Sequence, residues 1–107
     1  MTWIVVPLDA RVEAEIEAQP LDIRAKLARI SALIEVKGLE RVHEPYVQHL
    51  QGKLWKMRMI GRDGIARAIY VAATNRRVVI LRVFTKKTQR TPRREIEIAL
   101  ARAEEVE

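Results

Sequence analysis

Leu54-Trp55-Lys56-Met57-Arg58-Met59-Ile60, the turn-forming Gly61-Arg62-Asp63-Gly64, and then Ala66-Arg67-Ala68-Ile69-Tyr70-Val71-Ala72-Ala73 decide the fold. Side chains of an extended chain alternate between faces, so Trp55, Met57 and Met59 share one side while Leu54, Lys56, Arg58 and Ile60 share the other. A further β-branched and apolar run, Val78 to Thr85, follows Thr74-Asn75-Arg76, and the three segments read as an antiparallel meander. On its last strand Arg82, Phe84 and Lys86 fall on one face and Thr85 and Lys87 on the other. Charges inside strands, at Lys56, Arg58, Arg67 and Arg82, require one face to be at least partly open, and the sheet is expected to present a concave cationic surface.

Outward from this core, Trp3-Ile4-Val5-Val6, closed by Pro7, reads as a first strand. Asp9 suits the N-cap of a short helix carrying Val12 and Ile16. Pro20 suits the first position of a second helix, whose stripe of Ile23, Leu27, Ile30 and Ile34, with Leu33 beside it, runs to a C-capping Gly38. Between Leu39 and Gln51 the periodicity breaks, and the stretch reads as loop or short irregular structure. Thr91-Pro92 opens a last helix to about Ala103, with Ile96, Leu100 and Ala103 as its buried stripe. The predicted order is β, α, α, β, β, β, α. It implies an α+β fold: an antiparallel sheet made of a meander of three strands plus an N-terminal strand, with two N-terminal helices packed on one face and a C-terminal helix. Without repeats or linkers, residues 1–107 read as a single domain.

Composition narrows the function. The chain of 107 residues has no cysteine, which excludes a disulfide scaffold, a thiolate metal site and a cysteine nucleophile. Its opening residues turn polar too early for a signal peptide or a membrane span, so a cytoplasmic protein with no membrane partner is expected. The net charge of +6 is unevenly spread. Between Lys53 and Arg94 thirteen Lys or Arg face a single acid, Asp63, whereas the rest of the chain carries seven bases and thirteen acids. A surface that merely needs solvation mixes its signs, so this excess points to a polyanionic partner.

No carboxylate pair lies in the basic window, His43 and His49 are six apart, and the four glycines are scattered, so neither a metal, a cofactor nor a phosphate loop is expected. What remains is a set of fixed cations. They suit holding a phosphodiester and neutralising the added charge of its pentacoordinate transition state. Arginine grips two phosphate oxygens, and lysine supplies a point charge or, with a depressed pKa, a proton. RNA brings its own nucleophile in the 2′-OH. His49 reads as a surface residue with an acid–base role as the alternative, and Tyr70 and Phe84 read as core.

Gly52 to Met59 with its LWxxR motif (Leu54 to Arg58), Gly64-Ile65-Ala66-Arg67, and above all the FxKKTQxTP block from Phe84 to Pro92 resemble the phage-derived HigB/RelE-like toxins of type II toxin–antitoxin systems. The resemblance extends over nearly the whole chain and implies a RelE/ParE-like fold and a metal-independent endoribonuclease that cuts mRNA on the ribosome and inhibits translation. It also implies a cognate antitoxin, expected to be a helix-turn-helix DNA-binding protein. By the same resemblance Arg58 and Arg67 grip the phosphate and the Lys86–Lys87 pair sits at the scissile bond; parity favours Lys86 as the catalytic member. Lys53, Lys56, Arg82, Lys87, Arg90 and Arg93 are assigned to RNA contact. Lys56 departs from the family pattern, where many relatives carry Glu, and Ala66 stands where an aromatic often precedes the arginine. No tyrosine follows Tyr70, which leaves the general base unassigned. The rival readings are a ParE-like inhibitor of DNA gyrase and an RNA-binding module without catalysis.

Overall fold

The computed structural model describes residues 2–86 and 90–107. Its elements are β1 (Ile4–Pro7), α1 (Ala10–Glu17), α2 (Leu21–Lys37), a 3-10 turn at Leu39–Arg41, β2 (Val47–Gln51), β3 (Leu54–Ile60), β4 (Ile65–Ala73), β5 (Arg77–Lys86) and α3 (Arg93–Ala103). Five strands form one mixed sheet in the order β1-β5-β4-β3-β2. The expected meander is present as β3, β4 and β5, antiparallel throughout. Two details of the sheet differ from the sequence reading. β1 runs parallel to β5, pairing Ile4 to Pro7 with Arg77 to Ile80, and the stretch expected to be irregular supplies an extra edge strand, β2, antiparallel to β3.

Local chemistry sets the boundaries. The Asp9 carboxylate accepts from the backbone N–H of Arg11 at 3.0 Å and starts α1. Pro20 proves to be the cap residue of α2 rather than its first helical position. Gly38 ends that helix at φ 93°, a backbone conformation that side chains strain to adopt, while its N–H closes on the Ile34 carbonyl at 2.8 Å. Between β4 and β5 the chain reverses through Asn75 and Arg76, both left-handed.

Apolar groups pack on both faces of the sheet. On one, α2 lays Ile23, Leu27, Ile30 and Ile34 over Met57, Met59, Ala66, Ala68 and Tyr70, with Val12 of α1 closing the end. On the other, α3 covers Leu54, Ile69, Val71, Val79, Leu81 and Phe84. The stripe of α3 differs from the expected one: Ala99 and Ala103 are buried and Leu100 is exposed. Two alanines four residues apart let the helix axis come close to the sheet, and Leu100 is turned aside. β5 carries a bulge opposite Ile69 and Tyr70, where the register steps from Arg82 to Ile80. Because β1 ends at Pro7, the backbone there has no neighbouring strand. The Glu15 carboxylate of α1 instead accepts the Val83 N–H at 3.0 Å, and Arg102 of α3 donates to the Leu81 carbonyl at 2.8 Å. No helix among the described residues is long and apolar enough to cross a membrane.

Candidate nucleic-acid interface

The second face is only partly roofed by α3, and beside that roof Lys56 and Arg58 are half-buried while Arg67 is buried. Strand alternation puts Lys56 and Arg58 side by side on β3, and the register sets Arg67 of β4 directly opposite Arg58 and Ile69 opposite Lys56. The Arg58 N–H points away from β4, donating to the Tyr46 carbonyl at 2.9 Å. Arg58 and Arg67 therefore form a non-hydrogen-bonded pair, the closer of the two antiparallel arrangements, at about 4.5 Å between Cα atoms. Like charges directly opposite in a ladder repel.

Nothing in the described chain compensates them. Arg67 is 5 % exposed, yet its Nε and one terminal nitrogen are buried without a hydrogen-bond partner, as is Nε of Arg58. Burial, and then the Arg58 charge, pull the Arg67 guanidinium below its ordinary pKa. Lys56 is lowered too, by burial first and then by Arg67 and Arg58; its ammonium donates to the Thr91 hydroxyl at 3.3 Å. Buried charges are normally paired, because desolvation costs several kcal/mol per ion. A group of three cations left unpaired among the described residues is unfavourable by itself and becomes favourable around an anion.

Beside this group opens a cleft of about 680 Å³ between β2, β3 and the start of α3, lined by Lys56, His49, Thr91, Arg90 and Arg93 among others. Lys56 and the start of α3, at Arg93 and Ile96, border this cleft together.

The remaining expected site residues divide clearly. Arg82 does not join the open cations. Its Nε donates to Glu95 at 2.7 Å and a terminal nitrogen to Glu15 at 2.7 Å, contacts that raise its pKa. Arg102 donates to the same Glu15 carboxylate at 2.8 Å. The bulge brings Arg82 between α1 and α3, both of which supply a carboxylate, so the expectation of an RNA-contacting Arg82 is replaced by a structural ion network. Lys53 lines a separate hollow with Val106 and Glu107 at the far end of α3. Arg93 is exposed and pairs with Glu97 at 3.3 Å. Lys86 closes β5 with its backbone opposite Ile65; its side chain, and Lys87, lie outside the described residues. Sequence reasoning missed Glu15 and Thr91. Nothing in the pattern marks Glu15, whereas Thr91 was visible as the residue before Pro92 at a helix start.

An α+β domain with a helix-roofed sheet and an uncompensated cationic patch is the class that fold and site define. The family model for phage-derived Gp49-like proteins (DUF891) matches residues 14–104, and the chain belongs to that family. Its fold is that of a chain in the crystal structure of the archaeal RelE–RelB complex from Pyrococcus horikoshii OT3. That comparison gives a TM-score of 0.59 at 22 % identity, covering 81 % of this chain and 98 % of the archaeal one. Among curated proteins none matches significantly.

Proposed function

We propose that this protein is the toxin of a type II toxin–antitoxin pair and acts in the cytoplasm as a metal-independent, ribosome-dependent endoribonuclease on mRNA. The observation that carries the reading is the buried, uncompensated Arg67 facing Arg58 with Lys56 beside them. The arginines hold the non-bridging oxygens of one phosphodiester and gain as its charge increases towards the pentacoordinate state. The 2′-oxygen attacks the phosphorus as its proton passes to solvent water, the bond to the 5′-oxygen breaks, and the products are a 2′,3′-cyclic phosphate and a 5′-hydroxyl. Lys56, whose ammonium releases its proton more readily than an ordinary lysine, protonates the departing 5′-oxygen. Lys86, next to this group in sequence register, is assigned as a further cation at the scissile phosphate. The archaeal neighbour's RelE–RelB pairing supports an antitoxin as partner.

The test is induced expression of wild type and Arg67→Ala in bacteria with transcript 5′-end mapping. Wild type is expected to arrest growth and to create new 5′ ends inside translated codons, and Arg67→Ala to do neither. Growth arrest with intact transcripts overturns the nuclease reading, and accompanying DNA damage assigns the arrest to a gyrase-directed toxin.

A further inference from the structure

The sheet has a second hollow on the face opposite the cations. α2 ends at Lys37 and leaves the far end of β2, β3 and β4 uncovered. There a cavity of about 690 Å³ is lined by the buried Tyr70, Val47 and Val42, by Trp55, and by the exposed Glu44 and His49. Trp55 is 39 % exposed, unusual for an indole with an apolar cavity beside it. The His49 ring stands edge-on to it at 5.1 Å and is itself held at the Gly52 carbonyl, 2.7 Å from Nε2. His49 lines both this hollow and the cation cleft. The two hollows therefore meet at His49 on β2, the edge strand of the sheet.

We infer that the hollow is a nucleobase subsite for the same single strand whose phosphate lies at Arg58 and Arg67; the inference rests on the cleft being a phosphate site. A basic groove leading to an exposed aromatic is how single-stranded nucleic acid is held: phosphates follow the charge and a base stacks on the ring. The strand passes over β2, and a base of a neighbouring nucleotide enters against Trp55. The exposed lining sets its chemistry. Glu44, oriented by a hydrogen bond from the Gln48 amide at 3.2 Å, repels phosphate and accepts from exocyclic amino groups. Amino-bearing bases are thus favoured over uracil.

The test uses the full chain and 2′-O-methyl oligonucleotides, which cannot be cut: oligo(C), oligo(U) and an abasic strand of equal length, followed by tryptophan fluorescence and anisotropy. Oligo(C) is expected to quench the emission and bind about tenfold tighter than the abasic strand, with oligo(U) between them. Trp55→Leu is expected to remove the quenching and that tenfold advantage without weakening the abasic strand, and Trp55→Tyr to restore the advantage. Arg67→Met weakens all three strands alike. Equal binding of oligo(C) and the abasic strand, with emission unchanged, overturns the base subsite and leaves the phosphate cleft standing if Arg67→Met still weakens both. Binding indifferent to Arg67→Met overturns the cleft reading itself. If Trp55→Leu leaves every oligonucleotide unaffected but abolishes binding of the antitoxin, the hollow is a protein-docking site and the inference is wrong.

Discussion

Replacing Arg67 by methionine separates what the residue does for binding from what it does for stability. The side chain is 5 % exposed, and two of its three nitrogens are buried without partners. Each orphaned donor costs about 1–3 kcal/mol, and the opposed Arg58 adds repulsion. Methionine keeps the length and flexibility of the stem and carries no donor. After allowing for imperfect repacking beside Phe84, the variant is expected to gain about 2 kcal/mol, within the range seen when buried ions give way to apolar groups of similar volume. For a domain of this size that is a rise in melting temperature of about 8–10 °C. The same change is expected to cost at least tenfold in affinity for an uncleavable oligonucleotide, because the two-oxygen grip on phosphate is lost. Thermal melting by circular dichroism and anisotropy on one preparation read both quantities. A variant that melts below wild type, or one that melts higher yet binds RNA undiminished, refutes the reasoning: the first means Arg67 is structural, the second that the cation group is not the anion site.

Three other outcomes follow from particular contacts. Glu15→Gln removes the carboxylate shared by Arg82, Arg102 and the Val83 N–H, and a loss of about 2–3 kcal/mol is expected in urea unfolding; no loss means the network is ornamental. Gly61→Ala would place its Cβ 2.6 Å from Ile23 Cδ1 and 2.9 Å from Asp22 Oδ2, so about 1–2 kcal/mol of destabilisation is expected by the same measurement. Lys56 has a folded pKa below its unfolded value of 10.5. Its charge therefore disfavours folding at neutral pH, and that penalty fades as pH rises through the lowered pKa, where the proton leaves. Oligonucleotide affinity falls over that window in wild type, and Lys56→Arg, which holds its charge, is expected to flatten the profile. A wild-type affinity flat to pH 10.5 excludes Lys56 from the contact.

Period-two alternation made β3, β4 and β5 legible, and with them the shared face of Lys56, Arg58 and Arg67, because parity depends only on position in the strand. β2 was hidden because Val47-Gln48-His49-Leu50-Gln51 lies at an edge and only Val47 is fully buried; a strand that packs little writes little into its pattern. The parallel pairing of β1 with β5 is a long-range choice to which a four-residue apolar run is indifferent. Arg82 shows the limit of parity. The register step beside it and two carboxylates from helices distant in sequence decide its partners, and neither leaves a local trace. Leu100 and Ala99 were exchanged for a related reason: hydrophobicity favoured the leucine, whereas the close seating of α3 required the smaller residue.

The opposed pair Arg58 and Arg67 makes the conformational robustness of this protein a property of its surroundings. An occupant that supplies the missing negative charge adds RT ln(1 + [L]/Kd) to the unfolding free energy, about 2.7 kcal/mol when its concentration is a hundred times Kd. On the proposed reading, a bound polyanion adds that increment to the stability of the fold. Stripped by high salt during purification it is at its most fragile, so a preparation that precipitates on the column and tolerates heat after returning to a phosphate buffer would be showing the same two guanidinium groups.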